Sequence, residues 1–204
     1  MRHLLSFTQR AARGGLWFGG ALVLIAAIVI GIDVVMRKFL ARSIGGADEL
    51  AGYALAIGTV WSLGAALLDR AHIRIDSLYV KLPMAVRVAL DFAGLLLFVG
   101  FFALVAWHGW GVVEQSWVAG SRSQSALETP TVIPQALWFL GLMAFLATGA
   151  VIFLDALVAL LRGDLGAVVG RIGTRSAEEE VEDEIRDLKA RAARDGQSIG
   201  ADRQ

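Results

Sequence analysis

The sequence predicts an all-α integral membrane protein with four transmembrane helices. Three observations carry that expectation. Hydrophobic residues make up 56% of the 204-residue chain, against about 45–50% in soluble domains. Mean hydropathy is +0.62. The apolar residues fall into four runs free of Asp, Glu, Lys and Arg: Gly14–Ile32, Leu50–Leu68, Phe92–Val113 and Thr129–Leu154. A helix of about 20 residues spans the roughly 30 Å hydrocarbon core of a bilayer. A soluble bundle would show a polar stripe along each run, and these show none.

The expected spans are about 14–32, 50–68, 92–113 and 134–154, the last starting near Pro134. The first follows a basic segment (Arg2, Arg10, Arg13) but lacks a small-residue cleavage site, so it reads as a retained anchor. The connections Asp33–Asp48 and Asp69–Asp91 are long enough for short interfacial helices. Val80–Leu90, with Pro83 near its start, has the mixed character of a surface-lying one. Residues 1–161 thus form a membrane domain. Residues 162–204 form a charged tail with 8 of the 19 basic and 10 of the 19 acidic residues. Ser176 and Glu179 have capping-box spacing, and Val181, Ile185, Leu188 and Ala192 make a thin stripe, so a helix is expected over about 177–194.

Topology follows from Lys and Arg. Four spans place 15 on the face with both termini and 4 on the other, or 10 against 4 when only membrane-proximal tail residues count. Both termini are therefore expected in the cytoplasm of a bacterial inner membrane. Trp107, Trp110, Trp117 and Trp138 cluster around the third connection like an outer interfacial belt. Trp61, in mid-helix, suits packing.

The exclusions are equally useful. A formal net charge of zero gives no footprint for nucleic acid. The absence of Cys removes thiolate chemistry and disulfides. His108 is the one histidine inside an uncharged run, and a haem clamp needs two. It suits an interfacial or interhelical hydrogen bond. Uncharged runs argue against a proton-driven stand-alone transporter. The same histidine count disfavours a membrane anchor for a respiratory or redox complex. No catalytic, cofactor or metal residues are assigned. The acid–base groups of Asp69–Asp76 have no nucleophile or metal cluster beside them.

Two features concern assembly. Ala54, Gly58, Ser62 and Ala66 place four small residues on one face of the second helix, either for packing within the bundle or for docking another membrane protein. Gly15 and Gly19 form a weaker signal of the same kind. Asp48 is an expected N-cap, and Asp48 and Glu49 suit a helix N-terminus.

An ordered set of short segments resembles the small membrane subunit, DctQ-type, of tripartite ATP-independent periplasmic (TRAP) transporters. Asp33-Val34-Val35-Met36-Arg37 closes the first helix. Gly46-Ala47-Asp48-Glu49-Leu50-Ala51-Gly52-Tyr53 opens the second, and Leu63-Gly64-Ala65-Ala66 ends it. His72-Ile73-Arg74-Ile75-Asp76 and Leu82-Pro83 follow. Thr129-Pro130 and Ile133-Pro134 precede the fourth helix. Arg37, Asp48, Glu49, His72, Arg74 and Asp76 are the motif positions. The resemblance covers about residues 14–160, and the charged tail departs from it. It implies a non-catalytic scaffold for a large multi-spanning permease subunit. That partner takes up an organic acid, commonly a carboxylate (dicarboxylates among them) or sulfonate, from a periplasmic solute-binding protein. It is driven by sodium, whose site lies in the large subunit. Arg42, Glu114, Arg122 and Glu128, with Asp48 and Glu49, are then candidates for docking the binding protein.

Overall fold

A computed structural model of the chain describes residues 2–69, 82–172, 185–186 and 188–189. The expected tail helix over 177–194 lies almost wholly outside the described residues, as do His72, Arg74 and Asp76. Within 177–194 the four described residues, 185–186 and 188–189, are helical.

Among the described residues four long helices make up the membrane domain: α1 (Arg2–Leu40), α2 (Ala47–Leu68), α3 (Met84–Val118) and α4 (Val132–Leu161). All four are long and apolar enough to cross a membrane. A short α5 (Leu165–Ile172) follows. Its buried Val168 and Ile172 belong to the core cluster, so the first residues of the tail fold back onto α3 and α4.

All four helices overrun their uncharged runs, α1 and α3 by the most. At 1.5 Å per residue, α1 is about 58 Å long and α3 about 52 Å. The helical geometry does not stop where the apolar run stops, because Ala, Leu, Met and Arg propagate a helix in or out of lipid. This corrects the expectation of separate interfacial helices for the described parts of the two connections, residues 70–81 lying outside the described residues. Asp33–Leu40 is the last part of α1, and 84–90 is the first part of α3, capped by Pro83. Pro83 sits where a missing N–H costs nothing. α1 ends where Ala41 turns left-handed (φ 51°), and Gly45 and Gly46 (φ 65° and 89°) complete the reversal into α2.

The helices form a row, in the order α1, α2, α4, α3. α1 lies against α2, with a smaller contact to α4; α2 lies against α4, and α4 against α3. α1 runs antiparallel to α2, as the pairs Gly19–Gly58 and Gly15–Trp61 show. α2 and α4 run parallel, with Gly141 beside Val60 and Gly149 beside Leu67. The connections 41–46 and 119–131 therefore share one end of the bundle, the loop end. The α1 N-terminus and the α4 C-terminus share the other, the tail end.

The two outer joints use different chemistry. In the α1–α2 joint a Cβ on Gly15 would lie 2.6 Å from the Trp61 carbonyl oxygen. One on Gly19 would collide with the Gly58 carbonyl oxygen and sit 2.8 Å from Ser62 Oγ. Backbones meet because side chains are missing. The Gly15/Gly19 pair, rated the weaker signal above, is thus the counterpart on which the α2 small face closes. The α4–α3 joint is aromatic: Phe92–Phe153, Phe98–Phe145 and Phe102–Phe145 stack edge-on with centroids 5.7, 5.7 and 4.8 Å apart. Trp61 links the two halves. Its indole N–H donates to the Leu137 carbonyl (3.0 Å), its ring meets Phe18 edge-on, and Gly141 leaves room for it.

Candidate functional site

The polar chemistry of the described residues collects at the ends of the row. Asp33 is the centre of the loop end. It lies one residue beyond the first uncharged run and is 0% exposed. Its Oδ1 accepts from the Ile44 amide (2.6 Å) and the Ser43 hydroxyl (2.9 Å). Its Oδ2 accepts from Arg37 Nε (2.6 Å) and pairs with Arg37 Nη2. A buried carboxylate persists only when its lone pairs are filled in this way. The same guanidinium reaches Asp48 Oδ2 at 3.7 Å. Asp33 therefore fastens the end of α1 to the 41–46 connection, and Arg37 carries the link on to α2.

Asp48 is not the N-cap. That position belongs to Gly46, in left-handed conformation and without a side-chain cap bond, and Asp48 stands exposed in the first turn. The tight turn out of 41–46 needs a positive φ at the cap, which glycine supplies and aspartate resists. Both acids remain near the positive end of the helix dipole.

Glu49 points the other way, into the 119–131 connection. Its Oε2 accepts from the hydroxyls of Ser123 (2.9 Å) and Ser125. The Tyr53 and Thr129 hydroxyls also lie against this carboxylate, although Oε1 is buried without a hydrogen bond of regular geometry. Ser125 Oγ in turn accepts from the Leu127 amide (3.1 Å). Leu127 presses on Gly46, where a Cβ would fall 2.5 Å from its Cγ. The connection is braced within itself by Ser123 N–H to Thr129 O (2.9 Å) and Thr131 N–H to Ser121 O (3.0 Å).

The loop end thus unites three motif positions, Arg37, Asp48 and Glu49, with the two connections. Arg42, Glu114, Arg122 and Glu128 are exposed at this same end. Arg122 Nη1 donates to the Glu128 carbonyl (3.3 Å), and Glu128 holds φ 45°. Glu49, half-buried and engaged by the serines, is turned inward rather than presented.

The tail end has its own buried acids, which the sequence reading passed over. Asp91 is 0% and Asp155 7% exposed, each one residue outside an uncharged run, and each is engaged in an interaction. Arg87 Nε donates to the Leu82 carbonyl (2.8 Å) nearby. Between the two ends, the deeper hydroxyls are absorbed by their own helices. Thr59 donates to Leu55 O, Ser62 to Gly58 O and Thr148 to Ala144 O, at 2.7–2.9 Å. No group of three or more metal-ligating side chains occurs among the described residues.

The small face of α2 is occupied within the chain. Gly58 meets Gly19 and Val23, and Ser62 lies beside Gly19. Ala54 is buried and Ala66 half-buried. Of the residues missed by sequence reasoning, Asp33 left a signal, an i,i+4 pair with Arg37. Ser123 and Ser125 left none.

These features define a multi-pass membrane protein whose charged groups brace its ends and leave its described interior uncharged. The model of the DctQ family, described as the DctQ component of tripartite ATP-independent periplasmic transporters, matches residues 26–166. That is more than half of the chain, which therefore belongs to this family, the small permease component of TRAP transporters. No curated protein and no solved structure gives a match.

Proposed function

We propose that the chain is a non-catalytic scaffold for the large permease subunit, in a transporter that takes up an organic acid with sodium. The observation that carries this reading is the confinement of charge to the two ends. A route for an anion or a coupling ion needs polar groups along its length. In the described interior the hydroxyls are tied to their own backbones. Solute and sodium then travel through the partner, in which one part slides as an elevator against a fixed part that this row of helices widens.

The loop end faces the periplasm in this reading, and both termini lie in the cytoplasm of an inner membrane. The solute-binding protein docks near Arg42, Glu114, Arg122 and Glu128. The clamps at Asp33 and Glu49 give that rim a fixed shape. Co-expression with a large TRAP permease subunit, followed by purification in nanodiscs, tests the assembly. A stable complex of the two chains is expected; recovery of this chain by itself from membranes rich in the large subunit overturns the reading.

A further inference from the structure

One layer crosses the whole row of helices. A Cβ on Gly64 of α2 would lie 3.4 Å from Thr148 Oγ1 of α4 and 3.6 Å from Ala12 Cβ of α1, and Gly149 meets Val99 of α3. From this layer toward the tail end, the first charged residue is Asp69 on α2, Asp155 on α4 and Asp91 on α3. These stand about 8, 10 and 12 Å farther along their helices. On α1, charge reaches the layer itself. Arg13 follows Ala12 directly, and Arg10 lies about 3 Å from it along the axis.

A guanidinium at that depth needs an anion. Arg10 and Arg13 are exposed, and neither pairs with a carboxylate among the described residues. The sequence holds no acid before Asp33. Arg10 Nε donates to the Ser6 carbonyl (3.3 Å), so the side chain bends toward the tail end, as a snorkelling arginine does. The face on which the two arginines stand continues at helical spacing through Trp17, Leu24 and Ile28, all exposed. From the tail end inward it presents two guanidinia, an indole and then aliphatic chains. A phospholipid presents the matching order of phosphate, glycerol esters and acyl chains. A second copy does not fit. Two chains of one orientation, packed through this face about a two-fold axis along the membrane normal, would set Arg13 against Arg13.

We propose that this face of α1 binds an anionic phospholipid of the tail-end leaflet. Its phosphate sits between Arg10 and Arg13, its ester region lies against Trp17, and an acyl chain runs along Leu24 and Ile28. Guanidinium forks match phosphate oxygens. With no acid on this stretch to meet a choline or ethanolamine, the site selects a headgroup of net negative charge. The arginines stand about 10 Å inside the level at which the neighbouring helices meet charge. The bound headgroup is therefore drawn inward, and the leaflet is thinned beside α1. This inference needs only that the chain spans a bilayer, and it stands or falls apart from the scaffold reading.

The test is native mass spectrometry of the full chain released from nanodiscs of mixed phosphatidylcholine and phosphatidylglycerol. Phosphatidylglycerol should be retained in preference. Arg10→Gln with Arg13→Gln should lower its retention roughly tenfold. Arg162→Gln, exposed at the same end, should change it little. Arg10→Lys with Arg13→Lys keeps the charge and loses the forks, so part of the retention should survive in a chain of unaltered helicity. Equal retention of the two lipids, or equal loss in Arg162→Gln and the double glutamine variant, overturns the proposal. Displacement of the lipid on co-expression with a large TRAP permease subunit overturns lipid as the occupant in favour of an acidic group on that subunit. The thinning has its own readout, since the chain has no cysteine. Nitroxides on Ala11→Cys of α1 and Leu97→Cys of α3 sit at nearly one level, both exposed. A water-soluble nickel chelate should reach the first more readily, and equal access overturns the inward displacement.

Discussion

The α1–α2 joint and the α3–α4 joint solve one problem in opposite ways. Neither has the hydrophobic effect to draw it together, since lipid is as apolar as the side chains. The first joint removes side chains at Gly15, Gly19 and Gly58 until backbones touch. The second fills the gap with Phe92, Phe98, Phe102, Phe145 and Phe153. A backbone contact has one geometry and no slack. An aromatic contact can repack. The rigid joint therefore sits at the α1 edge, and the adaptable one beside α3.

The largest expected effect tests this directly. Gly19→Leu should cost about 3 kcal/mol or abolish the folded state, because its Cβ meets the Gly58 carbonyl with nowhere to move. Gly20→Leu, one residue on and open to the outside, should change the thermal midpoint little. Equal effects at both positions would dissolve the contrast. Phe102→Leu in the aromatic joint should cost about 1 kcal/mol, since neighbouring rings can close the space. A loss as large as that of Gly19→Leu would show that the second joint is no more tolerant than the first.

Two smaller effects concern the clamps that hold the joints at the loop end. Asp33→Asn keeps the shape but weakens the bonds to Ile44 and Arg37. Amide exchange at Ile44 should rise roughly tenfold. Glu49→Gln should raise exchange across Ser123–Leu127 about three-fold, with α1 unaffected. Exchange rising in α1 as well would mean that the two clamps act as one.

Much of the architecture was legible because hydrocarbon imposes a simple rule on sequence. Nineteen or more uncharged residues mean a span, and the rule located all four helices. It could not locate their ends. Arg10 and Arg13 continue α1 as readily as Ala12 does, so charge ends the apolar run and not the helix. Nor could it rank the glycines of α1. The spacing of Gly15 and Gly19 sets them apart from Gly14 and Gly20 only weakly, and it is the facing of α1 toward Trp61 and Gly58 that decides. The clamp at Glu49 depends on serines more than 70 positions away, a contact that no local pattern encodes. The Asp33–Arg37 pair was visible at helical spacing. Its burial was not, because it requires Ser43 and Ile44 to fold back.

The central claim is that the transport route runs outside this chain, and proteoliposomes loaded under a sodium gradient test it most directly. Vesicles containing this chain with its large permease subunit and the ligand-loaded binding protein should accumulate the organic acid. Vesicles with this chain and the binding protein alone should take up none. Sodium-driven accumulation in the second set would place a pathway inside these four helices and contradict the account.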